Sequence, residues 1–465
     1  MNRAQQSLPA CPSPLEVEQT RQRWEREAQK IVEEVIASVD DAEIFIKLVN
    51  LQGWSFAQQQ LKPLSPPPQG EAYIRLFRGG HTVWGRYPLT PQHWRRGVQE
   101  LISAFPKNSV GLYRPPKPAQ HYPRLQTFDA RFCQTLGEGY QLQRLAHAVS
   151  DNAWHEGERF EHLSKLHSVQ GRVLLHLKTQ IVCNGQGVVS DSRLHLEASA
   201  RLNQHFEDRK QSIFAPTSYL PWALMGASLW RKRAPLAINS NQSSGYREVI
   251  LAPKVFEKIL RQRLPFICTR RHFELGAQVG ARQLTLTYEP KAEGMLNLSP
   301  FDHLGRPRSP TPLILQGSLT SHFGIDPLGA QWSPQGLRPH FGTFFIRPGE
   351  RTHSEMLNDI AATSKGGRGR PYTSRGDAQL NLQVENAILE APDERGTNGF
   401  SLCLTEAITS QHQLLAPGRY KLSGTVASTA EGPGLLEHLE LSKEVVDTGT
   451  AVLPYAKVRL YLHPS

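Results

Sequence analysis

Apolar residues recur at three- and four-residue steps from Leu15 to about Ser38. Trp24, Ala28, Ile31, Val32, Val35 and Ile36 fall on one face, and Arg, Glu and Gln fill the other. That period predicts an amphipathic helix. The Pro/Ser/Gln-rich stretch before it, residues 1–14, reads as a disordered tail. The pattern then switches to alternation. Strands are predicted at 42–49, 72–77 and 81–86, with Gly79-Gly80 as a tight turn and the Pro-rich run 62–70 as a loop. Thr90 and Pro91 supply an N-cap and a first helical residue for a helix to about Ala104, with Trp94, Val98, Leu101 and Ile102 on its apolar face. A second Pro-rich stretch, 114–123, reads as a linker. A polar helix with an apolar stripe is predicted over 139–166, then strands at 171–178, 179–184 and 193–202, with Asn184-Gly185 as a hairpin corner.

Beyond residue 245 the order reads strand, helix, irregular segment, strand and hairpin. A turn built on Asp302 and Gly305 feeds a strand at 311–315, a corner at Gln316-Gly317 and a return strand at 318–323. Further strands are predicted at 377–390, 400–408, 419–425 and 451–462. The fold class this implies is α+β. An N-terminal α/β domain (15–113) precedes a Pro-rich linker (114–123), a central helix and strand segment (124–215) and a larger C-terminal domain (216–465) of mixed and antiparallel sheets with flanking helices.

The 465 residues suffice for a large core. No apolar run approaches the roughly 18–20 residues of a membrane helix, and MNRAQQSLPACPSP lacks the apolar centre of a secretory signal. Cys11, Cys133, Cys183, Cys268 and Cys403 are scattered and form no C-x-x-C pair, which points to reduced thiols and a cytoplasmic setting. The net charge of +11 permits an anionic partner. Its local clusters, such as Arg231-Lys232-Arg233 and 365–370, are short and carry no interleaved aromatic residues, so they argue against a base-stacking surface.

The string Ser299-Pro300-Phe301-Asp302-His303-Leu304-Gly305-Arg306-Pro307 leads into TPLILQGSLTSHFG at 311–324. It resembles the middle signature of the TldD/PmbA family, roughly "FDDEG-x-P-x-x-x-T-x-L-I-x-x-G-x-L-x-x-F". Residues 245–253 resemble the family's "G-x-Y-x-V-V-L-x-P" strand. Phe345, Ile346, Pro348, Gly349, Glu355 and Leu357 resemble its "N-x-x-I-x-P-G-x-x-x-x-E-E-L-I" phrase. Zinc-bearing members carry His-Glu-x-x-x-His on the helix after that strand and a cysteine ligand near the C-terminus. Two histidines on successive helical turns offer nitrogens to one zinc ion, and the glutamate serves as general base.

Set on the family strand without gaps, that window falls here on Arg261, Gln262 and Phe266: a permanent cation, an amide with no useful proton affinity, and a hydrocarbon ring. Pro265 is expected to break the helix there, and no cysteine follows Cys403. The resemblance is therefore to the PmbA-like (TldE) branch, which lacks zinc and pairs with a zinc-bearing TldD-like subunit. It implies a divergent, non-catalytic subunit of a two-subunit metallopeptidase for flexible peptides, with no metal or cofactor of its own. Peptide is expected to bind as an added strand. The candidate peptide-binding residues are Asp302, His303, Thr311, Leu313, Leu315 and Leu319.

Other constellations were weighed. Asp302 and His303 read as an acid–base pair or, in preference, as a turn shaped by Asp302 before Gly305. His155-Glu156 with His162 has the wrong spacing for a metal, Cys268 and His272 lack a surrounding nucleophile motif, and Lys365–Arg370 reads as a Gly/Arg loop. The rival functions are a binding or regulatory protein, contacting nucleic acid through its basic surface, and an independent peptidase using other residues.

Overall fold

The structure is a computed structural model describing residues 11–105, 134, 139–158, 168–202, 205–212, 244–268, 273–292, 295–340, 342–364, 381–390, 399–410, 415–427 and 434–464. The mixture of helices and sheets is α+β. The chain divides into two compact units that interleave in sequence. Unit 1 comprises 1–234, 290–309 and 329–340, and unit 2 comprises 235–289, 310–328 and 341–465.

In unit 1, helix α1 (Pro14–Ile36) opens on a capping box. Ser13 Oγ accepts from the Glu16 N–H, and the Glu16 carboxylate accepts from the Ser13 N–H at 2.7 Å, so two of the helix's orphan donors are satisfied. Residues 1–10 of the expected tail lie outside the described residues, whereas Cys11 is buried in a core cluster. An antiparallel sheet follows: β1 (Asp41–Ala57), β2 (Gln60–Leu64), β3 (Gln69–Arg78), β4 (His81–Pro88), β5 (Val169–Asn184), β6 (Gly187–Leu202) and β7 (His205–Ser212). Its order is β4-β3-β1-β5-β6-β7, with β2 on the far half of β1. The segments set apart at 15–113 and 124–215 thus share one sheet.

Three sequence expectations change here. The strands at 171–178 and 179–184 are one strand. The Pro-rich loop starts later, because Lys62, Pro63 and Leu64 lie on β2, with Pro63 opposite Trp54. An edge strand tolerates proline, since its outward side needs no donor. The helix α2 (Pro91–Ser103) starts at Pro91 as expected, but the Thr90 hydroxyl bonds the His93 ring and not a helix N–H. The linker at 114–123 lies outside the described residues, and α3 (Gly139–Glu158) is described only to Glu158.

The three helices described in unit 1 cover one face of the sheet. Ala28, Ile31, Val32 and Val35 of α1, with Trp94, Val98 and Leu101 of α2, pack on Ile44, Ile46, Ile74, Leu76 and Ile181. Leu142, Leu145, Ala146 and Val149 of α3 pack on Trp54, Phe56, Val173, Leu175, Leu194 and Leu196. Strand side chains alternate between faces. The intervening residues of β1, β5 and β6 therefore form a second face, on which no helix packs among the described residues.

Unit 2 is built on a closed ring of five strands. Strand β8 (Gly245–Leu251) pairs parallel to Leu382–Leu389 and antiparallel to Ala451–Pro464, and Gly399–Thr409 and Tyr420–Thr425 complete the circuit. Closure removes free edges. Helix α4 (Pro253–Ile267) buries Phe256, Ile259, Leu260 and Leu264 in the core of this unit. A side arm of β9 (Leu286–Glu289), β10 (Thr311–Leu315), β11 (Ser318–Leu319) and Thr343–Ile346 joins through Ala451–Pro464. The expected return strand 318–323 is only Ser318–Leu319. The strand Glu440–Asp447 and the unit 1 ribbon Ala330–Ser333/Gly336–Pro339 were not foreseen.

The corner between β10 and β11 needs positive φ at Gln316 (50°) and Gly317 (81°). A Cβ at Gly317 would also run into Gln278 Nε2 and the Gly280 and Ala281 carbonyl oxygens. At Gly418 φ is 76°, but the space around it is open. Gly418→Ala should cost about 1 kcal/mol, from left-handed strain alone, and Gly317→Ala about 3 kcal/mol, from strain plus overpacking. Urea denaturation of the two variants checks the ranking, and equal costs would refute it.

Candidate functional site

The signature loop of unit 1 is organised by one carboxylate. Asp302, 1% exposed, accepts from the backbone N–H groups of Leu304, Arg306 and Ala330 at 2.9 Å and from Arg306 Nε at 2.8 Å. Gly305 takes φ 76° to close the turn. The next residue, His303, stacks on Phe45 at 3.9 Å between ring centroids, and its Nδ1 accepts from the Trp332 N–H at 2.9 Å. Burial, helped by the charges of Arg193 and Lys47, pushes the His303 pKa down to about 3, so the ring is neutral at physiological pH. Arg308 is buried and donates to His340 Nδ1 at 2.6 Å. Nearby, Arg75 Nη2 donates to both carboxylate oxygens of the buried Glu43, each at 2.9 Å. Burial outweighs that pairing and raises the Glu43 pKa to about 7. Asp302 and His303 are thus brought together as parts of a sealed turn, and neither presents its side chain to a ligand.

The window in α4 is also a built network. Arg261 Nε donates to Glu257 at 2.6 Å. Its Nη2 donates to the Thr450 and Gly342 carbonyls at 2.8 and 3.2 Å, and its guanidinium lies 5.1 Å from the Phe344 ring centroid. Glu257 is further held by the hydroxyls of Thr448, at 2.6 Å, and Thr450. Gln262 Nε2 lies 3.5 Å from the Glu390 carbonyl. Phe266 is on the helix. Pro265, expected to break α4, sits inside its last turn; only the N–H toward Arg261 is lost, and the Cys268 N–H still closes on Leu264 O at 2.9 Å. A guanidinium, an amide and a ring with no lone pair do not fit zinc.

The residues of β10 and β11 divide by exposure. Leu313 and Leu319 are fully buried, Thr311 is half-buried, and Leu315 is exposed at 49%. Strand β10 is flanked by β9 and β11. The outer side of β11 is already bonded: Gly276 N–H to Leu319 O at 2.7 Å, and Leu319 N–H to Ala277 O at 2.9 Å. An added peptide strand finds no free edge there.

Sequence reasoning passed over a polar cluster on the helix-free face of unit 1. His176 Nε2 lies 3.0 Å from Glu197, Arg172 donates to the same carboxylate at 2.9 Å, and the rings of His176 and His195 stack at 5.2 Å. His195, Glu197 and Ser199 are buried. The signal was present in the alternation His176/Lys178/Gln180 and Arg193/His195/Glu197, where polar residues occupy one face of two long strands.

Of the weaker constellations, His155 is exposed on α3, and His162, His272 and Lys365–Arg370 lie outside the described residues. Cys268 is buried, and burial pushes its thiol pKa up to about 12, the reverse of what a nucleophile needs. Among the described residues no group of three or more His, Cys, Asp or Glu side chains is placed to share a metal ion, and no helix is long and apolar enough to cross a membrane.

Over nearly the whole chain the fold is shared with solved structures of low sequence identity. TldE from Thermococcus kodakarensis superposes with TM-score 0.67 at 13% identity, covering 93% of this chain and 99% of that one. A Thermotoga maritima protein described as a proposed modulator of a DNA gyrase gives 0.65 at 14% identity, covering 94% and 100%. One of similar description from Bacteroides thetaiotaomicron gives 0.66 at 13%, covering 96% and 99%. At such identities the likeness shows the fold. Residues 245–365 match the family model described as the PmbA/TldA metallopeptidase C-terminal domain. No curated protein matches the sequence.

Two predictions follow from these networks. Between pH about 4.5, its usual value, and about 7, folded Glu43 holds a proton that the unfolded chain has released, so its contribution to stability declines as pH rises through that window. His303 acts oppositely: between about 3 and its usual 6.5 the unfolded chain binds a proton the fold excludes, and stability is lost as pH falls. Glu43→Gln should therefore gain stability relative to the parent as pH rises from 4.5 to 7, measured by urea denaturation across that range; a flat difference refutes it. Arg261→Ala leaves the Glu257 carboxylate without its cation. It should cost about 2–3 kcal/mol, below the roughly 3–5 of a fully buried pair, and the same measurement tests it.

Proposed function

We propose that this chain is the zinc-less, PmbA/TldE-like subunit of a two-subunit metallopeptidase, paired with a zinc-bearing TldD-like chain, and that it helps enclose and hold flexible peptides. The observation that carries the reading is Arg261. A permanent cation occupies the turn where the family resemblance sets the first metal ligand, and it is fastened by Glu257, two backbone carbonyls and the Phe344 ring. A divalent ion there would meet a fixed positive charge and no imidazole. The family match over residues 245–365 supports the peptidase context. A cytoplasmic setting goes with it, since Cys11, Cys183, Cys268 and Cys403 are free thiols.

In this reading the chain performs no bond cleavage. Its contribution is rigid: a closed five-stranded ring that keeps α4 in place, and a sheet with one face free of helices. Peptide capture at β10 and β11 is not part of the proposal, because both edges are already bonded.

The test is native mass spectrometry with zinc quantification on the protein isolated from its own cells. The expected result is a complex with a second subunit of similar size, whose zinc stays with that subunit on separation. A lone chain or homo-oligomer holding stoichiometric zinc overturns the proposal. So does hydrolysis of peptides by the isolated chain in the presence of a chelator.

A further inference from the structure

Several sheet edges of this chain are closed or guarded. The five-stranded ring of unit 2 closes on itself. The outer side of β11 is bonded at Gly276 and Ala277, and the edge strand β2 carries Pro63. Strand β4 is different. It is the outermost strand at one end of the unit 1 sheet and pairs with β3 in one unbroken register from His81 to Pro88. Natural sheets blunt such an edge with proline, lysine or a bulge, because open backbone groups template another strand. Residues 82–87 of β4 contain none of these, and proline comes only at the last position.

The hairpin fixes which groups this edge offers. Gly79 and Gly80, at φ 53° and 78°, make a two-residue turn. The flanking pair Arg78 and His81 therefore exchanges both backbone bonds, and so does every second pair after it. The Leu89 N–H bonds the Gly70 carbonyl at 3.0 Å, which is the same phase at the far end. The backbone groups of His81, Val83, Gly85 and Tyr87 thus point to β3, and those of Thr82, Trp84 and Arg86 point out of the sheet. Among the described residues no backbone group bonds these three. Thr82 and Arg86 are exposed. Trp84 is half-buried, its ring 5.1 Å from that of Trp332.

We infer that this edge is an interface for a second copy of the chain, with β4 pairing antiparallel to the partner's β4 about a twofold axis at Trp84. The edge is complementary to itself in that register. Trp84 then faces the partner's Trp84, Thr82 faces the partner's Arg86, and Arg86 faces the partner's Thr82. Each of these pairs can exchange both outward bonds, since every outward N–H meets an outward carbonyl. An aromatic pair directly opposite is favourable, and the two cations are kept apart. The neighbouring registers are worse. Centring on Arg86 sets two guanidinium groups directly opposite and places Pro88, which has no N–H, against Trp84. Centring on Thr82 runs Trp84 into the Gly79-Gly80 turn. The inference is independent of the proposed function, because it concerns copies of this chain alone.

The experiment is sedimentation velocity of the full chain across about 1–100 μM, the range in which a small interface self-associates. The expected result is a monomer–dimer equilibrium. The Thr82 side chain is exposed and its N–H points away from β3, so Thr82→Pro costs the hairpin no bond. By symmetry it removes two bonds from the dimer, which should weaken by at least about tenfold. Thr82→Glu meets the partner's Arg86 with an opposite charge, and Thr82→Lys meets it with a like one. The Glu variant should therefore dimerise about tenfold more tightly than the Lys variant, a comparison that holds even where the proline variant does not fold. A monomer at every concentration overturns the inference, and so does a dimer of equal affinity in the Glu and Lys variants. Zinc quantification keeps the two readings apart. A zinc-free dimer that responds to Thr82 supports the edge contact and leaves the subunit assignment standing. A monomer that joins a zinc-bearing subunit sinks the edge contact alone, and a Thr82-dependent dimer with stoichiometric zinc of its own sinks the assignment alone.

Discussion

The burial of Asp302 is the constraint around which unit 1 is arranged. A carboxylate taken from water survives only if its lone pairs are filled, and here three backbone N–H groups and one guanidinium nitrogen fill them. Three of those donors belong to its own loop, and the Ala330 N–H belongs to the start of the ribbon. One side chain thus ties the signature turn to the ribbon and presents His303 flat against Phe45 and Trp332 against Tyr73. The apolar half of the helix-free face is sealed as a consequence. Among the described residues the polar half receives no such cover, and a cleft of about 490 Å³ lies there.

Unit 2 solves a different electrostatic problem. Helix α4 packs its apolar face into the ring core, which leaves Glu257 and Arg261 one turn apart on its other side. Each is partly buried, and neither is tolerable alone. Together, with Thr448, Thr450 and the carbonyls of Gly342 and Thr450, they form a closed set in which each charged group has a partner. A helix that arranges imidazoles around a metal must leave those nitrogens unprotonated and their lone pairs aimed at one point. Arg261 offers only donors, so the same turn is committed to an internal structural role.

The sequence showed what local periodicity encodes. The stripe of α1, the Gly79-Gly80 hairpin, the start of α2 at Pro91 and the order of the last strands were all legible. Local signals failed where long-range pairing decides. The 16 residues of β5 read as two strands, yet continuous pairing with β1 and β6 makes them one. Pro63 read as loop, yet an edge position tolerates it. Pro265 read as a helix breaker, yet it falls where one turn remains to be closed. Glu440–Asp447 carries a polar run that becomes a strand only beside Ala451–Pro464. At the site level, the unsuitability of Arg261, Gln262 and Phe266 for zinc was plain from residue chemistry alone. The cluster of His176, His195, Glu197 and Arg172 was not, because its members are adjacent only through strand register.

Charge distribution ties these parts together. The net +11 of the chain could be spread evenly, and then it would speak only of solubility. The buried acids and bases of unit 1 largely pair among themselves: Glu43 with Arg75, Asp191 with Arg193, and Asp302 with Arg306. Such pairs cancel locally and project little field. The helix that carries the window resembling the family's metal site serves to hold its own fold together.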